Sequence, residues 1–308
     1  MASETPVELR GLVKRYGELV AVDDVDLTVE AGDVYGYLGP NGAGKTTSLR
    51  MMLGLIRPTA GSVRLFGKDP TLTVRALDGV AGFVEAPRFY PYLSGRRNLE
   101  LLASFDGHGA RDRIDQALDT VELSDRAKDK VGGYSHGMRQ RLGIAGALLR
   151  EPRLLLLDEP ATGLDPAGMR DMRLLIRRLA DGGMTVLLSS HLMPEVEELC
   201  NRVAIVRSGA IVYEGAIADL KRAAGATYRL RTTDDERALA VCRAQRGIEE
   251  PRLVEGEIAF GGDEASVAEL SIALIEAGAL IQALVPQTAS LEDLFFSLTE
   301  KQPEPVTA

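Results

Sequence analysis

One stretch constrains this chain more than any other: Gly39-Pro40-Asn41-Gly42-Ala43-Gly44-Lys45-Thr46, which fits G-x-x-x-x-G-K-[ST]. Residues 33–38 before it read as a short buried strand, and residues 47–53 after it as a helix. Glycines let the backbone curl until its N–H groups converge on phosphate oxygens. The helix aims the positive end of its dipole at the same point. Lys45 then reaches the terminal phosphates, and the Thr46 hydroxyl is a ligand for Mg²⁺. A nucleoside-triphosphate site on a strand–loop–helix unit is therefore predicted.

The rest of the chain has room for a domain around that unit. Its 308 residues suffice for one large domain or two ordinary ones, with 45% hydrophobic and 26% charged residues, the balance of a globular protein. A net charge of −9 gives no sign of a nucleic-acid partner. Cys200 and Cys242 are far apart and fit no metal spacing, which points to a reduced compartment. Residues 1–10 lack the apolar core of a signal peptide, and no run approaches the roughly 18 apolar residues that span a bilayer. Action at a membrane would depend on another chain.

Periodicity predicts the elements. Residues 7–12 alternate apolar and polar, the pattern of a half-buried strand, and residues 21–30 offer a second with Val25, Leu27 and Val29 on one face. Further short strands are predicted at 63–66 and 80–84, then a mostly helical stretch to residue 150. Leu154-Leu155-Leu156-Leu157 and Met184-Thr185-Val186-Leu187-Leu188 are continuous runs typical of strands buried on both faces. Alternating helices and buried strands argue for a parallel α/β core. Residues 203–213 read as a hairpin through Ser208-Gly209. The pattern changes near residue 226 to strand, helix, hairpin, helix, strand and a last helix capped by Ser290 and Asp293, a small α+β appendage. Expected domains are thus 1–225, with a helical part at about 86–150, and 226–301, followed by a disordered tail, 302–308.

A phosphate loop does not choose among kinases, GTPases and motor ATPases; other residues do. The strand 154–157 ends in Asp158 and Glu159. Asp158, at the carboxyl end, is placed to hold Mg²⁺ directly or through water, and Glu159 is placed for a base or water-orienting group on the γ-phosphate side. Tyr134-Ser135-His136-Gly137-Met138 opens a helix and offers a second anion site by the same dipole logic. Together these motifs resemble the nucleotide-binding subunit of an ATP-binding-cassette (ABC) transporter, over residues 7–220 and in the family's order.

The resemblance implies roles. Tyr16 matches the aromatic that stacks on adenine, and Gly39, Pro40, Asn41, Gly42, Ala43, Gly44, Lys45, Thr46 and Thr47 match the Walker A loop. Ser135 and Gly137 match the signature motif, which binds the γ-phosphate held by another subunit. Asp158 and Glu159 match the Walker B aspartate and catalytic glutamate, Asp165 the D-loop, and His191 the switch histidine that contacts the γ-phosphate. Glu85 stands where the family usually has Gln in the Q-loop and is a third candidate metal ligand. His136 and Met138 replace the Gly and Gln of the commonest signature. The fold implied is a P-loop NTPase core of the ABC ATPase type, α/β, with a helical subdomain.

Residues 85–95 look like the Q-loop region of exporters for antibiotics and bacitracin-type peptides, and residues 290–295 like the tail of daunorubicin-type resistance ATPases. Phe89, Tyr90, Tyr92 and Leu93 are candidates for a groove that takes a partner's cytoplasmic helix. The implied activity is ATP hydrolysis, with ATP and Mg²⁺, coupled to export of a drug, antibiotic or lipid-like substrate. Two copies would sandwich ATP and dock on integral membrane permease subunits at the cytoplasmic face of the membrane. A soluble ABC ATPase acting on DNA or ribosomes and an importer ATPase are the alternatives; a regulatory GTPase would need Asn-Lys-x-Asp, which the chain lacks.

Overall fold

The computed structural model describes residues 4–106, 109–223, 227–254, 256–287 and 290–300. The chain divides into two compact units, Met1–Gly215 and Ala216–Ala308.

The first unit opens with β1 (Val7–Tyr16) and β2 (Leu19–Val29), which pair antiparallel around the turn at Gly17-Glu18. β3 (Val34–Leu38) leads into the glycine loop and α1 (Lys45–Met52). β4 (Ala60–Leu65) joins β1 and completes a three-stranded sheet of order β2-β1-β4. β5 (Val80–Phe83) is followed by α2 (Gly95–Ala103), α3 (Ile114–Thr120) and α4 (His136–Leu148). Then come β6 (Leu154–Asp158), α5 (Pro166–Asp181), β7 (Thr185–Ser190), α6 (Met193–Leu199), β8 (Arg202–Arg207) and β9 (Ala210–Ala216).

The large sheet has the order β5-β6-β7-β3-β8-β9, with β5 to β8 and β3 all parallel. Parallel strands need both faces covered, which is why Leu154 to Leu157 are uniformly apolar and every residue of β6 is buried. Full burial of each such leucine contributes about 1.5–3 kcal/mol. α1 packs against β2, β4 and β6. One apolar cluster therefore runs from Val7, Leu9 and Val25 through Met51 and Met52 to Tyr35, Tyr37, Leu154 and Leu156, joining the two sheets.

The second unit contains α7 (Ile217–Ala223), β10 (Thr227–Thr232), α8 (Asp235–Ala244), β11 (Ile248–Val254), β12 (Glu257–Gly262), α9 (Glu264–Glu276), β13 (Ile281–Gln287) and α10 (Leu291–Glu300). Its antiparallel sheet has the order β11-β12-β10-β13, the split β-α-β arrangement. Alternation along β10 turns Tyr228, Leu230 and Thr232 inward, onto a core with Ile258, Phe260, Ala238, Cys242, Leu270 and Leu274. Strand and helix positions here follow the sequence pattern closely. The predicted tail at 302–308 lies outside the described residues. Among the described residues no helix is long and apolar enough to cross a membrane.

Candidate functional site

Strand order explains how distant motifs meet. β7 lies between β6 and β3, and Leu38 pairs with Ser190 while Asp158 pairs with Ser189. The loops after β3, β6 and β7 therefore leave the same edge of the sheet side by side. The carboxyl ends of parallel strands are where α/β sheets bind ligands.

The loop after β3 is held by backbone geometry. Gly44 sits at the start of α1 with φ 98°, and a Cβ there would lie 2.2 Å from the carbonyl oxygen of Ala21. Gly39 donates its N–H to the Ser190 carbonyl at 3.2 Å. Lys45 is buried, and its Nζ donates to the carbonyls of Gly39 (2.7 Å) and Pro40 (3.1 Å). The same ammonium is 3.3 Å from Glu159 Oε1. Asn41 and Gly42 are exposed, Ala43 is buried, and Thr46 and Thr47 are half-buried.

Glu159 is the centre of the cluster. It adopts φ 50°, unusual for a residue with a side chain, and donates its N–H to Ser189. Its Oε2 accepts from the Thr162 hydroxyl at 2.7 Å and lies 2.7 Å from His191 Nδ1. Burial pushes its carboxyl up, but the Thr162 hydroxyl, the Lys45 ammonium and His191 outweigh that and hold it below the usual carboxylate range. The group is an ionised carboxylate at neutral pH, aimed at the mouth of the loop. Asp158 beside it is buried; the Ser189 hydroxyl donates to one carboxylate oxygen and the Glu85 N–H to the other.

The remaining candidates are distributed around this cluster. Glu85 has φ 66°, and its carboxylate forms an ion pair with Arg50 on α1. Ser135 caps α4, accepting the Met138 N–H at 3.2 Å. His136 Nε2 lies 3.1 Å from the Thr162 carbonyl oxygen, and a Cβ on Gly137 would be 3.6 Å from Leu164. The Ser135 segment thus packs on the loop after β6 in its own chain, and no contact among the described residues links Ser135 to Lys45. Asp165 caps α5, accepting the Gly168 N–H at 2.9 Å. Tyr16, at the end of β1, is half exposed, with the Lys14 ammonium 5.1 Å from its ring centre.

Four residues of the neighbourhood escaped sequence reasoning. Ser189 ties Asp158 to Glu159, Thr162 orients the Glu159 carboxylate, and Arg50 binds Glu85. Glu195, on α6, is buried beside the electrostatic fields of Arg173, Glu159 and His191, and its Oε1 has no hydrogen-bond partner among the described residues. Only Ser189 left a trace in the sequence, as a polar residue closing an apolar strand just before His191.

A family model described as ABC transporter matches residues 22–162. The bacitracin transport ATP-binding protein BcrA of Bacillus licheniformis is 37% identical over 96% of this chain and 97% of its own length. The chain belongs to the ABC transporter ATP-binding proteins. A second relative, the daunorubicin/doxorubicin resistance ATP-binding protein DrrA of Streptomyces peucetius, is 39% identical over 82% of this chain and 75% of its own. Among solved structures, a dimeric ATP-binding cassette in a post-hydrolysis state, bound to ADP and Pi, superposes with a TM-score of 0.62 at 27% identity, covering 68% of this chain and 98% of the other. The ABC chain described here is accordingly a nucleotide-binding ATPase with a P-loop NTPase core.

Proposed function

We propose that this ABC ATPase drives export of a drug- or antibiotic-like substrate through a separate membrane permease. The observation that carries the hydrolytic part is the Glu159 carboxylate, gathered between Lys45, Thr162 and His191 at the mouth of the glycine loop. An ionised carboxylate held this way orients a water and accepts its proton as the water attacks the γ-phosphorus. Lys45 leaves the loop carbonyls for the β- and γ-phosphates, and His191 donates to the γ-phosphate, stabilising charge that grows in the transition state. Tyr16 is the platform for adenine. The export assignment rests on the likeness to BcrA and DrrA over most of the chain.

Thr46 and Asp158 are the residues for Mg²⁺. Their hard oxygens suit it, and each Asp158 carboxylate oxygen carries one hydrogen bond, which leaves lone pairs for ligation through water. When bound, Mg²⁺ neutralises phosphate charge. Glu85 is engaged by Arg50 and would have to leave that partner to reach a metal.

Ser135 and Gly137 belong to the second half of a composite site: they meet the γ-phosphate bound to Lys45 of another copy. This fits their packing on the loop after β6, and the dimeric relative supports the same assembly. Asp165 lies on that interface. The segment 86–150 then receives the permease at the cytoplasmic face of the membrane, where Tyr90, Tyr92 and Phe105 are exposed.

The test uses two substitutions in the purified chain. Lys45→Ala is expected to lose ATP affinity, whereas Glu159→Gln keeps it and loses turnover by a factor of about 10² or more. Calorimetric titration with ATP and a phosphate-release assay read the two effects. Unchanged ATP binding by Lys45→Ala would sink the assignment of the phosphate loop.

A further inference from the structure

Glu85 poses an electrostatic problem. Its backbone is anchored at the proposed metal residue, because its N–H donates to Asp158 Oδ2 at 3.3 Å. Its φ of 66° fixes the chain there in a conformation that side-chain-bearing residues rarely adopt. A carboxylate projecting from that point lies close to where polyphosphate binds. Two unit charges 4 Å apart repel by about 1 kcal/mol in water and by several times that near a protein surface. Asp158 and Glu159 already bring two acids to this edge.

The Glu85 carboxylate is ion-paired with the Arg50 guanidinium. Arg50 is four residues beyond Thr46 on α1 and shares its face of the helix. Its Cα therefore lies about 6 Å further along the helix axis from the loop than that of Thr46. The pair therefore ties the acid to α1 and cancels its charge with a cation fixed on the phosphate-binding helix itself. A guanidinium keeps its charge at any physiological pH, so the compensation is permanent.

We propose that Arg50 is a positioning residue that holds the Glu85 carboxylate on α1 and so prevents it from repelling the nucleotide. The proposal rests on the phosphate-loop reading above. Both side chains are partly exposed, so the pair adds little to stability, and its effect is expected in nucleotide affinity.

The experiment is a double-mutant cycle on the full chain, with ATP titrated calorimetrically in EDTA so that no metal enters. Arg50→Gln is expected to weaken metal-free ATP binding roughly three- to tenfold. Glu85→Gln alone is expected within about twofold of wild type, and Arg50→Gln with Glu85→Gln is expected to return to that level. Two outcomes overturn the proposal. One is an Arg50→Gln loss that persists in the Glu85→Gln background, as direct phosphate binding by Arg50 or a folding defect would give. The other is additivity, with Glu85→Gln tightening binding by the factor that Arg50→Gln weakens it. Thermal melts without nucleotide identify any variant whose loss comes from misfolding. Failure of the phosphate-loop reading looks different: Lys45→Ala would then bind ATP normally whatever Arg50 does.

Discussion

Two glutamates in one neighbourhood meet opposite environments. Glu159 is held below the ordinary carboxylate range by partners that outweigh its burial. Glu195 is pushed above it by burial, with Arg173 opposing that and the Glu159 charge reinforcing it. Its Oε1, without a hydrogen-bond partner among the described residues, adds to the cost of keeping an ionised group there. Because the folded-state pKa of Glu195 exceeds the unfolded one, folding favours the protonated form. Stability is then lost as pH rises from the ordinary carboxylate value through the raised one. Glu195→Gln removes the titrating charge and keeps the shape. It is expected to raise the melting temperature at pH 7.5 by a few degrees, equivalent to about 1 kcal/mol, with a gain that shrinks towards pH 4. Melting curves across that range check it; a constant offset would show that burial of charge is not the cause.

At the scale of elements, the phosphate loop works because a strand, a helix and a neighbouring strand fix its ends. The Gly39 N–H is tied to the end of β7, and Gly44 turns into α1 against the backbone of β2 at Ala21. Gly44→Ala would place a methyl 2.2 Å from the Ala21 carbonyl oxygen in a left-handed conformation. Strain of about 1–3 kcal/mol and displacement of the loop follow. The expected outcome is loss of ATP binding in calorimetry together with a lower melting temperature. Retained affinity would mean that the loop tolerates another path. Capping shows how a motif residue serves its element as well: Ser135 and Asp165 each accept an N–H in the first turn of the following helix, which leaves their positions rigid.

At the scale of the whole molecule, each of the two units has its own apolar core. In the first, the signature segment leans on the loop after β6 through His136 and Thr162, and Thr162 also orients Glu159. In the proposed sandwich, one chain would supply Lys45 and Glu159 to one nucleotide and Ser135 to another. Glu159→Gln with ATP and Mg²⁺ is expected to elute in size-exclusion chromatography at twice the monomer mass. Addition of Lys45→Ala to that variant is expected to return the monomer. A strict monomer in Glu159→Gln would refute the sandwich. With a net charge of −9 per chain, copies repel, so the dimer is expected to strengthen at moderate salt.

Features that depend on local chemistry were legible in the sequence. The glycine loop, the apolar runs of β6 and β7, and the helix caps are written in neighbouring residues, because backbone freedom, burial on both faces and capping act within a few positions. Glu159 and His191 were legible as candidates because each directly follows a buried strand. Other arrangements are legible only in the folded chain: β7 inserted between β6 and β3, Ser189 bridging Asp158 and Glu159, Thr162 turning the Glu159 carboxylate, and Arg50 taking Glu85. Glu195 carries no local sign of burial, yet α6 packs on β3 and β7 and Glu195 is buried. Such effects depend on strand order and packing: Arg50 and Glu85 are 35 positions apart and Ser189 and Asp158 are 31 apart, and neither pair carries a local signal of which neighbour it will meet.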